Sequence, residues 1–276
     1  MRFIFIFIIL FISTISNAQY SEWLRSDRPG QSMSPFTVGK NTAQLQMGYS
    51  YTELDQRFRL DNNDEYLMEE LVNQVRAQVR VGIFERFEGS AGVNFADETR
   101  EYTQGFDDLS NSYISQFDFN LRGNLYPGKG AVPAVGVELQ FVFDDPLDQN
   151  RRRKFNTNGT LSLQSAITDK FSLTANVIVY EDLAFTINAG YLFTEKFGAF
   201  AEYYPIFTGF LDISRDFNLN RGFINSGFVY NFGPNFQIDL ASRFLVNQAD
   251  FATDGSTLEN YIGIQAGFTG RLDWRD

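Results

Sequence analysis

From Phe236 onward the chain alternates: Phe236, Ile238, Leu240, Ser242, Phe244 and Val246 occupy one set of every-second positions, and Gln237, Asp239, Ala241, Arg243 and Leu245 the other. Successive side chains of an extended strand point to opposite faces, so this alternation makes one oily face and one wet face. Gly233-Pro234-Asn235 supplies a tight turn before it, and Ile224, Ser226, Phe228, Tyr230 and Phe232 form a second apolar stripe ahead of the turn. Residues 221–246 therefore read as one long hairpin with aromatics at its neck.

The same form recurs along the chain. Apolar stripes run through Ala43 to Tyr51, Val75 to Ile83, Tyr113, Ser115 and Phe117 to Leu125, and Val135 to Phe143. Further stripes cover Leu161 to Ile167, Phe171 to Val179, Phe185 to Phe193, Phe197 to Tyr203 and Ile262 to Trp274. Residues 69–79 also fit an amphipathic helix through Leu71, Val75 and Val79, but their β-branched density favours a strand. With the returning strand Gly89 to Ala96, about twelve strands result. Their connections alternate between tight turns, such as Glu85-Arg86 and Thr168-Asp169-Lys170, and long polar loops, with the brief Glu181-Asp182 link as an exception.

Period-2 patterning alone does not say whether the oily face meets a core or a membrane. Strand length does, because soluble strands average roughly 5 to 6 residues and these are about twice that. Aromatics gather near the turns, at Phe87, Phe171, Phe193, Phe197, Phe232, Phe236 and Trp274, as in an interfacial girdle. The polar stripe carries Arg76, Arg80, Asp118, Arg122, Glu138, Glu202, Asp239, Arg243 and Arg271 in mid-strand, while the apolar stripe carries almost no charge. An Arg or Lys facing lipid at the midplane costs about 2–4 kcal/mol, whereas one facing a lumen stays hydrated or paired. The expected fold is thus all-β: a transmembrane antiparallel up-and-down barrel with short periplasmic turns and longer outer loops. The nine charged residues are its candidate lumen lining.

Arg2, the apolar run Phe3 to Ile12 and Ser16-Asn17-Ala18 have the order of a signal peptide cleaved after Ala18. That divides the chain into a signal peptide at 1–18, an extended lead-in at 19–40 and a barrel at 41–276. The formal charge of −11 argues against a nucleic-acid partner, which would require a basic face. With no His and no Cys there is no imidazole base, thiolate or disulfide, so no catalytic residue, cofactor or metal site is expected. Asp107-Asp108, Asp144-Asp145 and Arg151-Arg152-Arg153-Lys154 read as solvated loop charge. The acidic stretch Asp61 to Glu65 lacks the glycine of a calcium loop, having Tyr66 at that position.

The lead-in carries Ser26-Asp27-Arg28-Pro29-Gly30-Gln31-Ser32-Met33-Ser34-Pro35-Phe36, with Gln44-Leu45-Gln46 and Gly48 following in the first strand. This resembles the start of the exported barrels grouped as the "putative MetA-pathway of phenol degradation" family, although Gly30 stands where that pattern has a further Asp. The resemblance implies an outer-membrane protein and a passive transporter. Asp27 and Arg28, followed by Pro29, are positioned to pair with lumen charges such as Arg76, Arg80 or Glu138 and hold the lead-in in the barrel mouth; the alternative is a flexible leader.

The function expected is passage of a small solute, hydrophobic or aromatic in one version, through a barrel whose partners are outer-membrane lipid and that solute. A closed barrel with a structural or adhesive role and an exported soluble β-sandwich that binds a ligand are the alternatives.

Overall fold

The computed structural model describes residue 27 and residues 30–59, 65–102, 108–144, 154–209, 218–248 and 256–274. The signal peptide, Arg28, Pro29, Asp107, Asp145 and Arg151 to Arg153 lie outside the described residues, as do residues 60–64. Twelve strands follow one another: β1 (Thr42–Arg59), β2 (Glu65–Phe84), β3 (Phe87–Tyr102), β4 (Leu109–Tyr126), β5 (Ala134–Asp144), β6 (Lys154–Ala166), β7 (Phe171–Val179), β8 (Leu183–Leu192), β9 (Phe197–Thr208), β10 (Asn218–Gly233), β11 (Phe236–Gln248) and β12 (Ser256–Asp273). Each pairs antiparallel with its neighbours in sequence, and β1 pairs with β12, so the sheet closes without an edge. Closure satisfies the backbone of a sheet standing in hydrocarbon.

The oily stripes face outward. Leu240 is 53% exposed, and Val79, Phe119, Leu139, Phe228 and Ile264 share its outer surface. The opposite phase is buried in the barrel: Gln44, Asp118, Thr186 and Thr269 are at or below 2% exposure. The aromatic girdle brackets the tight turns, with ring centroids 6.4 Å apart for Phe84 and Phe87, 5.4 Å for Phe193 and Phe197, and 5.6 Å for Phe232 and Phe236. Two of those turns share one construction. The Thr168 hydroxyl accepts from the Lys170 and Phe171 amides, and the Thr194 hydroxyl accepts from the Lys196 and Phe197 amides. Leu240 lies ~10 Å above the level of Phe236 along a tilted strand, near the middle of a belt ~25 Å tall. Leu240→Arg should therefore cost ~2–4 kcal/mol in urea unfolding from lipid vesicles, whereas the same substitution at the girdle should cost a fraction of that.

Several strands outrun the apolar stripes. Residues 55–68 and 97–111 read as loops in the sequence, yet β1 continues to Arg59, β2 starts at Glu65, β3 continues to Tyr102 and β4 starts at Leu109. Ladder hydrogen bonds need no oily side chain, so the wall continues past the belt with polar residues. There Arg100 reaches Glu70 at 3.2 Å and also pairs with Glu98. The phase of β4 also differs from the alternation first read through Tyr113 and Ser115. The β3–β4 register slips between Asn94 and Phe95, leaving Ser115 as an extra residue. A bulge reverses facing beyond it. Tyr113 accordingly turns inward, its hydroxyl donating to the buried Glu98 carboxylate at 2.9 Å.

Candidate functional site

Twelve strands about 4.8 Å apart and tilted ~40° close at a backbone radius of ~12 Å, against ~8 Å for eight strands. Inward side chains alone do not fill that width. The lead-in occupies part of it: residues 30–38 run through the turn end of the lumen and are bound from β2 round to β9.

An irregular segment inside a barrel must find partners for its backbone groups, and wall side chains provide them. Glu202 on β9 accepts from the amides of Gln31 at 2.9 Å and Ser32 at 2.7 Å, and from the Ser32 hydroxyl. Asn176 on β7 takes the Met33 amide and donates to its carbonyl, each at 2.9 Å. Asn124 on β4 donates to the Pro35 carbonyl at 2.9 Å, Glu88 on β3 accepts the Val38 amide at 2.7 Å, and Arg80 on β2 donates to the Phe36 carbonyl at 3.3 Å. Gly136 makes room for the chain, since a Cβ there would lie 2.6 Å from the Pro35 Cα.

Charge fixes the start of this segment. Asp27 lies between two guanidiniums, 3.1 Å from Arg80 Nη1 and 2.8 Å from Arg122 Nη2. Register explains how the guanidiniums stay in place. Glu88, Arg122 and Glu138 stand directly opposite one another on β3, β4 and β5, and Arg122 Nε donates to Glu138 at 2.7 Å. Arg80 Nε donates to Glu88 at 2.8 Å. The result is a buried cluster of two cations and three carboxylates, in which the lead-in contributes one carboxylate. Burial alone would raise the Asp27 pKa, but Arg122 and then Arg80 over-compensate and hold it below its ordinary value of 3.8.

A lowered docked pKa stabilises docking fully above pH 3.8 and loses that contribution as pH falls through the docked value. Protease cleavage of the lead-in in vesicle-embedded protein should therefore be constant across neutral pH and rise only below about pH 4.

The nine charged residues read from the sequence all lie on inward-phase positions, but they divide by role. Arg80, Arg122, Glu138 and Glu202 contact or support the lead-in. Arg76 pairs instead with Asp118 at 2.8 Å, reaching over β3 at Gly92, where a Cβ would come 2.7 Å from the Asp118 carboxylate. Asp239 is buried at 5% exposure. Arg271 is not in mid-strand but at the turn end, where its Nε donates to the Asn235 side chain at 3.0 Å. Of the pairings considered for Asp27, the one with Arg80 forms, while its second partner is Arg122.

Glu88, Asn124, Asn176 and Thr186 belong to the same constellation without having been singled out. Glu88 could have been found, because it shares the inward phase of Ser90 and Asn94. The neutral residues carry no sequence signal that separates them from any other lumen amide or hydroxyl.

Above the lead-in remains a chamber of about 560 Å³, lined by amides and hydroxyls such as Gln46, Gln78, Asn120, Gln140 and Thr160, and by Tyr180, Tyr204, Tyr261 and Arg243.

A family model described as "Putative MetA-pathway of phenol degradation" matches residues 26–253. No curated protein matches the sequence. Among solved structures, an outer membrane channel from Pseudomonas putida F1 is similar with a TM-score of 0.58 at 9% identity, covering 90% of this chain and 100% of that one. The KdgM porin is similar with a TM-score of 0.50 at 11% identity, covering 82% of this chain and 98% of that one. At such identities the likeness is one of fold.

Proposed function

The chain belongs to the family described as "Putative MetA-pathway of phenol degradation", an outer-membrane barrel family, and from that premise we propose that it is a passive channel whose lead-in is a resident plug. A small solute enters the polar chamber from the outer end and passes the turn end when residues 30–38 yield. The single observation that carries this reading is the arrangement itself: an oily exterior, a wet chamber of about 560 Å³, and beneath it a non-strand segment, residues 30–38, held by wall side chains. The nine inward charges then act in two ways, as the anchor of the plug and as the electrostatic lining of the path. The export leader is removed after Ala18, leaving the lead-in on the periplasmic side.

The test is conductance in planar bilayers and solute swelling of vesicles, using the full mature chain and a variant lacking residues 20–38. The truncated barrel should conduct several-fold more and admit larger solutes. Equal conductance of the two would remove the plug from the account, and a folded but silent truncated barrel would remove the channel.

A further inference from the structure

We infer that Arg243 and the aromatic residues beside it form a docking site for a small carboxylate carried on a flat apolar body. The inference deepens the channel reading by naming the class of solute that the chamber retains.

Of the charged side chains lining the chamber, Asp27, Arg122 and Glu138 belong to the plug cluster, and Arg76 is matched by Asp118. Arg243 has no carboxylate partner among the described residues. Its Nε donates to Asn225 Oδ1 at 2.7 Å, while Nη2 is closed off from solvent and meets no acceptor. Terminal guanidinium nitrogens make charge-assisted hydrogen bonds to carboxylates, and of the two here it is Nη1, not closed off and without an acceptor among the described residues, that a solute in the chamber reaches. An orphaned donor in a lumen is costly to keep unless something supplies the missing acceptor.

The guanidinium is also held still. Asn188, Glu202, Asn225 and Arg243 stand in register across β8, β9, β10 and β11. Asn225 donates to Glu202, which orients its carbonyl oxygen toward Arg243. On the far side the cross-strand partner is Gly263, and the space that it leaves is bordered by the Arg243 Cβ and by the Tyr261 ring from the same strand. The arginine lies over the Phe223 ring at 5.9 Å. That ring meets Tyr261 edge-on at 5.0 Å and Tyr204 in a stack at 6.3 Å. Tyr204 and Tyr261 also line the chamber. A planar apolar body has aromatic faces to lie on while its carboxylate meets the cation.

The row has a second consequence. Glu202 also holds the Gln31 and Ser32 amides, so one carboxylate joins the anion site to the plug. A solute anion on Arg243 draws on the same hydrogen-bond chain that seats the lead-in.

The experiment is calorimetric titration of the full refolded barrel in detergent with benzoate and, separately, with the neutral isostere benzamide. Benzoate should bind about tenfold or more tightly than benzamide, and Arg243→Gln should remove that preference while Arg243→Lys retains part of it. Similar binding of both compounds, no binding of benzoate, or a preference unchanged in Arg243→Gln would overturn the proposal. Heat-modifiable migration reports folding of each variant. If Arg243→Gln does not fold, the benzoate-to-benzamide ratio in the parent and in Arg243→Lys decides. Binding is read without flux, so a silent channel that still prefers benzoate refutes conduction alone, and a conducting channel indifferent to charge refutes the docking site alone.

Discussion

Asp27→Ala should release the lead-in while leaving the barrel folded. The substitution removes the carboxylate that bridges Arg80 and Arg122, yet Arg80 keeps Glu88 and Arg122 keeps Glu138. No cation is stranded, so the wall retains its pairing and the loss falls on docking. Because no charge is left uncompensated, the loss is that of hydrogen bonds to a charged group, about 1.5–3 kcal/mol, which shifts a docked-to-undocked ratio by a factor of ~10 to ~10². Protease should cut the lead-in rapidly in the variant and slowly in the parent, and single-channel conductance should rise alongside. Equal cleavage rates would mean that the backbone hydrogen bonds from Glu202 and Asn176 suffice to hold the segment. The variant should also lack the acid step below about pH 4, because the group that titrates there is gone.

Arg122→Met should be the more damaging change, and it should damage the barrel itself. Arg122 meets Asp27 at 2.8 Å, Glu138 at 2.7 Å and Glu88 at 3.7 Å. Without it Arg80 remains for Asp27 and Glu88, while Glu138 loses its cation, and Glu88 and Glu138 stay fixed on the two strands that flank β4. A stranded buried charge costs ~3–5 kcal/mol, and here that cost falls on the folded state of β3 to β5, with mutual repulsion added to it. The urea midpoint in vesicles should drop, and the change should couple to its partner. Glu138→Gln in the Arg122→Met background should recover a large part of the loss, although alone in the parent it should destabilise. Additive effects of the two substitutions would show that the row does not act as a unit.

Much of the architecture was legible in the residues, and for a physical reason. Lipid outside and water inside impose a strict period of two, so Phe236 to Val246 and Val75 to Ile83 announce both their conformation and their facing. The short link at Glu181-Asp182 was equally plain. What escaped was set by contacts rather than by solvent. Ser115 is an unremarkable serine until its pairing with β3 makes it a bulge, after which Tyr113 points the other way. The strand ends past the belt escaped because paired backbone in water accepts polar residues that also suit loops. In the lumen, alternation marked Arg122 and Glu138 as inward but not as direct neighbours, since that depends on the β4–β5 register. Arg271 had the correct facing and the wrong height. Asn176 and Thr186 were invisible, because an inward amide or hydroxyl looks the same whether it binds a plug, a solute or water.

The seat of the lead-in also dictates an order of assembly. Residues 31 and 32 bind Glu202, some 170 positions downstream, and Met33 binds Asn176, 143 positions away. Those anchors acquire their spacing only once the strands between them have paired. A segment that precedes the first strand can therefore take its place only after the later strands have paired, so it behaves as a latch on a finished wall and not as the nucleus around which the wall is raised.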